Sequence, residues 1–210
     1  IGLDLQGLTL KQVQNGFIKN GFALINQPDH FQLANQLINY REEIGKRPPL
    51  ASMELLWTAH KGKHLFITGY VHPPTENRHL KTLELLGEKN VVTIKGLEGS
   101  TDIPISRQLK ISALENTQLK HFILNPKEHH CNGKELAWHN IEEWKHECFR
   151  TLDGEGAFQQ AAIWNAGIYL WLAKLTNTIP EGIKKAKSSI VSGSAQKTLN
   201  QLIQWRKEIN

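Results

Sequence analysis

The sequence predicts an α/β fold: a mixed, partly parallel sheet flanked by helices, with a helical carboxyl-terminal tail. Three observations carry that expectation. Val91, Val92, Thr93 and Ile94 form a β-branched run with apolar residues on both faces, which suits a strand buried inside a sheet. The amphipathic stretch Thr75 to Leu86, closed by Gly87, precedes it, so helix and strand alternate. From Gly154 onwards helical patterns follow one another with only short breaks.

In chain order, Thr9-Leu10-Lys11-Gln12 has the form of a capping box. Leu10, Val13 and Phe17 follow at helical spacing, and Gly21 supplies a left-handed end. Phe22 to Ile25 reads as a short buried strand. Asp29 is placed to cap a helix carrying Phe31, Ala34, Leu37 and Ile38, which runs past Arg41 to Gly45. Lys46-Arg47-Pro48-Pro49 is extended, because proline disfavours helix in the residue before it. Leu50 to Thr58 reads as a short helix, Lys61 to Lys63 as a turn and His64 to Val71 as a strand. Beyond the central strand, Leu109 to Leu114 and Gln118 to Leu124 flank Glu115-Asn116-Thr117 as a hairpin. Residues 125–152 read as polar and irregular, anchored by Trp138 and Trp144. Three helices are then expected: Gly154 to about Leu175, Pro180 to Val191, and Ser194 to about Lys207.

A chain of 210 residues, 40% hydrophobic and 21% charged, can build one domain with a sizeable core. Its net charge of +5 suits a phosphorylated ligand or a nucleic acid without choosing between them. The two cysteines, Cys131 and Cys148, make no disulfide framework, which points to a reducing compartment and a cytoplasmic location. The most apolar stretch, Ala161 to Ala173, is too short to span a bilayer, so no membrane partner is expected. The chain opens Ile-Gly-Leu-Asp, with no Met, and ordered patterns begin almost at once. Residues 1–210 are therefore expected to be the carboxyl-terminal α/β domain of a longer protein. Leu5, Leu8, Phe17, Phe22 and Leu24 are then the apolar residues expected to be left bare.

Chemistry concentrates in one loop. Gly96 and Gly99 stop the central strand, and Glu98, Ser100, Thr101 and Asp102 lie between and after them. In open α/β sheets ligands sit beyond the carboxyl ends of the strands. Two carboxylates there suit Mg²⁺, which takes one or two carboxylates and fills its other positions with water and phosphate; a solvated acidic turn is the alternative. Arg41 and Arg47 sit near a Pro-Pro turn and are candidates for gripping a carboxylate or phosphate, or for pairing with Glu42 or Glu43. His129, His130, Cys131, His139, His146 and Cys148 lack the paired spacing of a zinc site. Asn165, alone among apolar residues, is expected to bond another helix. Neither GxGxxG nor GxxxxGK[ST] occurs.

Several segments, in order, resemble the anthranilate phosphoribosyltransferase family (glycosyl transferase family 3). They are Leu5-Gln-Gly-Leu-Thr-Leu-Lys-Gln-Val, Arg41-Glu-Glu-Ile-Gly-Lys-Arg47, Lys95-Gly-Leu-Glu-Gly-Ser-Thr-Asp-Ile103, Gly156 to Leu170, Glu181-Gly-Ile and Ser192-Gly-Ser-Ala195. The resemblance implies a phosphoribosyltransferase that moves phosphoribose from phosphoribosyl pyrophosphate to an aromatic amine, with Mg²⁺ bridging the pyrophosphate. It implies acceptor contact at Arg41, with Arg47 also on the substrate side, metal-side carboxylates at Asp102 and Glu98, and a homodimer. The family's Asp-Glu pair is Thr101-Asp102 here, and its Asn and Gly-Pro are Ala51 and Glu54-Leu55. These departures point away from anthranilate specificity, and Arg47-Pro-Pro with the Glu-Gly-containing loop resembles a divergent, non-tryptophan branch, some of whose members bind nucleic acid, which makes a non-catalytic nucleic-acid-binding protein the alternative function. The family's glycine-rich pyrophosphate loop has no counterpart in this chain.

Overall fold

Thr9 starts the first helix, α1 (Leu10–Asn20), as its spacing predicts. Its hydroxyl accepts from the Gln12 amide at 3.3 Å, while the Gln12 side chain accepts from the Thr9 amide at 2.9 Å. Two of the free amides at the helix start are thereby satisfied, and Gly21 closes the helix in the left-handed conformation at φ 71°. The computed structural model describes residues 2–45, 52–116, 118–135 and 137–209.

The next stretch departs from expectation. Phe22 to Ile25 is irregular and belongs to no strand among the described residues, and the helix predicted through Gly45 is broken into α2 (Gln27–His30), α3 (Gln32–Asn35) and α4 (Ile38–Ile44). Asp29 caps none of them. Its carboxylate instead accepts from the Gly7 amide at 2.8 Å and from Asn26 Nδ2 at 2.7 Å, tying this segment to the amino-terminal one. The expectations for Arg47, the Pro-Pro turn and Ala51 lie outside the described residues.

The sheet has four strands in the order β1 (Phe66–Gly69), β2 (Asn90–Ile94), β3 (Leu109–Glu115), β4 (Gln118–Leu124). β1 and β2 are parallel, joined through α5 (Pro73–Leu85), whereas β3 and β4 form the predicted antiparallel hairpin. Asn116 takes φ 53° at the hairpin turn, where a short polar side chain tolerates the left-handed region. α5 begins two residues earlier than its pattern suggested, since Pro73 and Pro74 occupy its first turn, where no amide hydrogen bond is needed.

Helices cover both faces of the sheet. Val92, Ile94, Ile111 and Ala113 pack against Trp164 and Ile168 of α7 (Gln159–Leu172). Phe66, Val91 and Leu114 pack against Leu83 of α5. Burial of such a side chain stabilises by roughly 1.5–3 kcal/mol, so the two faces supply most of the core. Behind α7 lies α8 (Ile179–Val191), and a Cβ at Gly182 would run into the Gly167 carbonyl, so glycine sets how closely these helices pack. α9 (Ser194–Glu208) returns to the amino-terminal end, where Trp205 joins Leu5, Leu8 and Val13.

Three further expectations are corrected. Residues 141–152 form a helix, α6 (Ile141–Leu152), whose first turn is held by Asn140 Oδ1 accepting from the Glu143 amide at 2.9 Å. Trp138 and Trp144 lie at the surface rather than as buried anchors, being 65% and 39% exposed. Leu5 and Leu8 are buried by Trp205, while Phe17, Phe22 and Leu24 stay 47%, 45% and 45% exposed. No helix among the described residues is long and apolar enough to cross a membrane.

Candidate functional site: the acidic loop at the strand ends

β2 runs out into the acidic loop beside the carboxyl end of β1, and the Tyr70 amide continues the parallel pairing by donating to the Ile94 carbonyl at 3.0 Å. The loop folds on itself. The Gly96 amide donates to the Ser100 carbonyl at 3.2 Å, that of Leu97 to Asp102 at 3.0 Å, and that of Ser100 to Leu97 at 2.9 Å. A Cβ on Gly96 would collide with the Ser100 carbonyl, and one on Gly69 with the Gly99 carbonyl, so this tight curl against β1 requires glycine at both places.

Glu98 sits at φ 52°, in the left-handed region, and Glu98 and Asp102 are both exposed. Asp102 is steadied locally: its amide donates to Ser100 Oγ at 3.0 Å, and that hydroxyl donates to Asp102 Oδ2 at 3.3 Å. No three His, Cys, Asp or Glu side chains converge among the described residues. Two exposed loop carboxylates are too few to cage a metal, though Mg²⁺ needs only one or two, with water and phosphate in its other positions.

What holds the loop was misread from sequence. Asn165 of α7 bonds no other helix among the described residues. Its Oδ1 accepts from the Ile103 amide at 2.7 Å, and its Nδ2 donates to the Ile103 and Ala161 carbonyls, each at 3.0 Å. One turn on, the Tyr169 hydroxyl donates to the Thr101 carbonyl. Burial pushes the Tyr169 phenol up, and the Asp102 charge adds to this. The polar side chain flagged amid an apolar helix thus clamps the acidic loop's exit.

A second polar set went unnoticed in the sequence. Thr68, Thr93, Ser112 and His121 stand opposite one another on β1, β2, β3 and β4, forming one row across the sheet. Thr93 and Ser112 hydroxyls both donate to Glu76 Oε1 at 2.7 Å, and Glu76 lies in the first turn of α5. Ser112 Oγ lies 3.0 Å from His121 Nδ1, and since its one proton goes to Glu76, His121 is the donor. Tyr70, whose phenol is pushed up to about 12 by burial and then by Glu76, joins the same carboxylate. The readable signal was Thr93, a hydroxyl inside an otherwise apolar strand. Buried polar atoms need partners, which directs attention to the facing helix.

Arg41 is on α4 and pairs with Glu54, its Nη1 lying 3.3 Å from Oε2, rather than with Glu42 or Glu43. No hydrogen bond or ion pair among the described residues links it to the acidic loop. Lys184, Lys185 and Lys187 lie exposed on α8, on a solvated face.

Comparison with known proteins places this geometry. The family described as "Glycosyl transferase family, a/b domain" matches residues 1–196. The anthranilate phosphoribosyltransferase of Chromobacterium violaceum is 25% identical over 207 residues, covering 97% of this chain and 60% of that protein. That of Laribacter hongkongensis is 26% identical over 188 residues, covering 88% and 55%. Among solved structures, the Saccharomyces cerevisiae enzyme in complex with PRPP and Mg superposes with a TM-score of 0.87 at 18% identity, over 99% of this chain and 60% of that one. The Thermus thermophilus enzyme gives 0.77 at 22% identity, over 97% and 61%. The structures speak for the fold, and the chain spans about three-fifths of the length of these relatives. Neither nucleic acid nor a homodimer draws support from them. With its helix-flanked mixed sheet, its clamped acidic loop and a match from residue 1 to residue 196, the chain belongs to the glycosyl transferase family by its a/b domain.

Proposed function

We propose that this chain is the carboxyl-terminal α/β domain of a protein that transfers a phosphoribosyl group from phosphoribosyl pyrophosphate to an aromatic amine, with Mg²⁺ as cofactor. The observation that carries the reading is the acidic loop, curled at the carboxyl ends of two parallel strands and clamped from α7 by Asn165 and Tyr169. Relatives bearing the transferase name, and a solved structure in complex with PRPP and Mg, support it.

Glu98 and Asp102 would hold the metal on its phosphate side. Bound there, Mg²⁺ supplies positive charge against the departing pyrophosphate. The chain contributes a loop already ordered before the ligand arrives, which lowers the entropic cost of binding. Arg41, together with Arg47, would face the acceptor. A cytoplasmic location accords with two free cysteines.

Calorimetric titration of the protein with phosphoribosyl pyrophosphate tests this. Binding in Mg²⁺ should disappear in EDTA, and Asp102→Ala should weaken it by roughly tenfold or more. Equal affinity with Mg²⁺ and with EDTA would overturn the reading. Unchanged affinity in Asp102→Ala alone would remove only that residue's role.

A further inference from the structure

We infer that Glu54 converts the Arg41 site from one that takes a carboxylate into one that takes an uncharged acceptor, so that the amine this chain serves carries no carboxylate beside it. The inference rests on the reading of Arg41 as an acceptor-side residue, and it names the class of acceptor.

The Arg41–Glu54 pair is unlike the surface ion pairs of this molecule. Its side chains are 29% and 23% exposed, whereas every other lysine or arginine paired with a carboxylate among the described residues is at least 39% exposed. Glu54 is also held from a second side, since Gln27 Nε2 donates to its Oε1 at 3.3 Å. The carboxylate is therefore anchored by two elements and is not a mobile counter-ion. Enclosure strengthens its attraction for Arg41 and, equally, its repulsion of any second anion.

Both contacts to Glu54 use a single guanidinium nitrogen, Nη1, at 3.4 Å and 3.3 Å. A guanidinium has five N–H donors in a planar fork, so the other edge of Arg41 remains able to donate to a neutral carbonyl or ring nitrogen. What the pair removes is net charge. An incoming carboxylate would meet a neutral pair and would place its own charge close to that of Glu54. A carboxamide of the same shape meets no such cost. Phe31 and Trp57, four residues beyond Gln27 and three beyond Glu54 in the chain, hold their rings 4.2 Å apart while remaining 37% and 40% exposed.

The test compares two probes of one shape, 2-aminobenzoate and 2-aminobenzamide, titrated calorimetrically into the full chain and into Glu54→Gln. The wild-type chain should bind the amide at least about tenfold more tightly than the carboxylate. Glu54→Gln should erase or reverse that preference by strengthening carboxylate binding. Equal binding of the two probes by the wild-type chain, or a preference unmoved in Glu54→Gln, would overturn the inference and leave the acceptor site standing. Binding of neither probe by either protein would remove the acceptor-side reading of Arg41 and the inference with it. Should Glu54→Gln fail to fold, the wild-type preference alone decides.

Discussion

On the face towards α7, β2 and β3 present Val92, Ile94, Ile111 and Ala113 to Trp164 and Ile168. On the opposite face the same strands present Val91 and Leu114 at one end, then Thr93 and Ser112 at the other. α5 matches that division: Leu83 covers the apolar row, while Glu76 takes the hydroxyls of the polar one. Because α5 leads away from the end of β1, its first turn lies over the carboxyl ends of β1 and β2. The polar row therefore falls at the end of the sheet where the acidic loop also sits. One face is apolar along both strands, whereas the other gives up apolar contact at the end where the acidic loop sits.

The largest effect that would sharpen this contrast is expected from Trp164→Ala. Trp164 is fully buried at the centre of the apolar face, and removal of such a side chain costs about 3–5 kcal/mol. A urea midpoint falling by less than Thr93→Val lowers it would break the distinction between the faces. Next comes Glu76→Leu, which leaves Thr93 and Ser112 hydroxyls buried without their acceptor, at roughly 1–3 kcal/mol for each. The same variant should bring the Tyr70 phenol down from about 12, though not to the ordinary tyrosine value, since burial is the larger cause and persists. Absorbance titration reads this, and an unmoved curve would detach Tyr70 from the polar row. Asn165→Ala is expected to cost about 1–2 kcal/mol, with faster hydrogen exchange at the Ile103 amide as its local mark. Exchange unchanged there would show the acidic loop standing without its clamp.

The smallest effect is a pair of opposing pH dependences. His79 lies on the buried side of α5, 2% exposed and with neither ring nitrogen bonded among the described residues, and burial lowers its pKa. The unfolded chain takes up that proton near pH 6.5 while the folded one resists it, so stability falls as pH drops below about 6.5. His64, at the amino ends of β1 and β2, behaves oppositely. The Gly62 carbonyl, and then Glu88 at 2.8 Å, raise its pKa. Its contribution is complete below about pH 6.5 and is lost as pH rises through the folded value. Unfolding midpoints measured from pH 5 to 8 should flatten on the acid side in His79→Leu and on the alkaline side in His64→Leu. A flank that keeps its slope would acquit the histidine named for it.

Read alone, the sequence was sufficient wherever the deciding interaction is local. The capping box at Thr9, the glycine stops at Gly21 and Gly45, the hairpin at Asn116 and the three final helices follow from neighbours within a turn of one another. The acidic loop was legible for the same reason, since its glycines and carboxylates are contiguous. Where distant segments compete, local pattern failed. Phe22 to Ile25 has the composition of a strand but pairs with none among the described residues, and α6 forms because Asn140 caps a stretch whose polar residues concealed its periodicity. Side-chain partners were least legible. That Asn165 grips Ile103 across 62 residues, that Glu76 gathers hydroxyls from two strands, and that Arg41 meets Glu54 are outcomes of packing. A buried polar group must be satisfied, but which group satisfies it is decided only when the tertiary structure brings the candidates together.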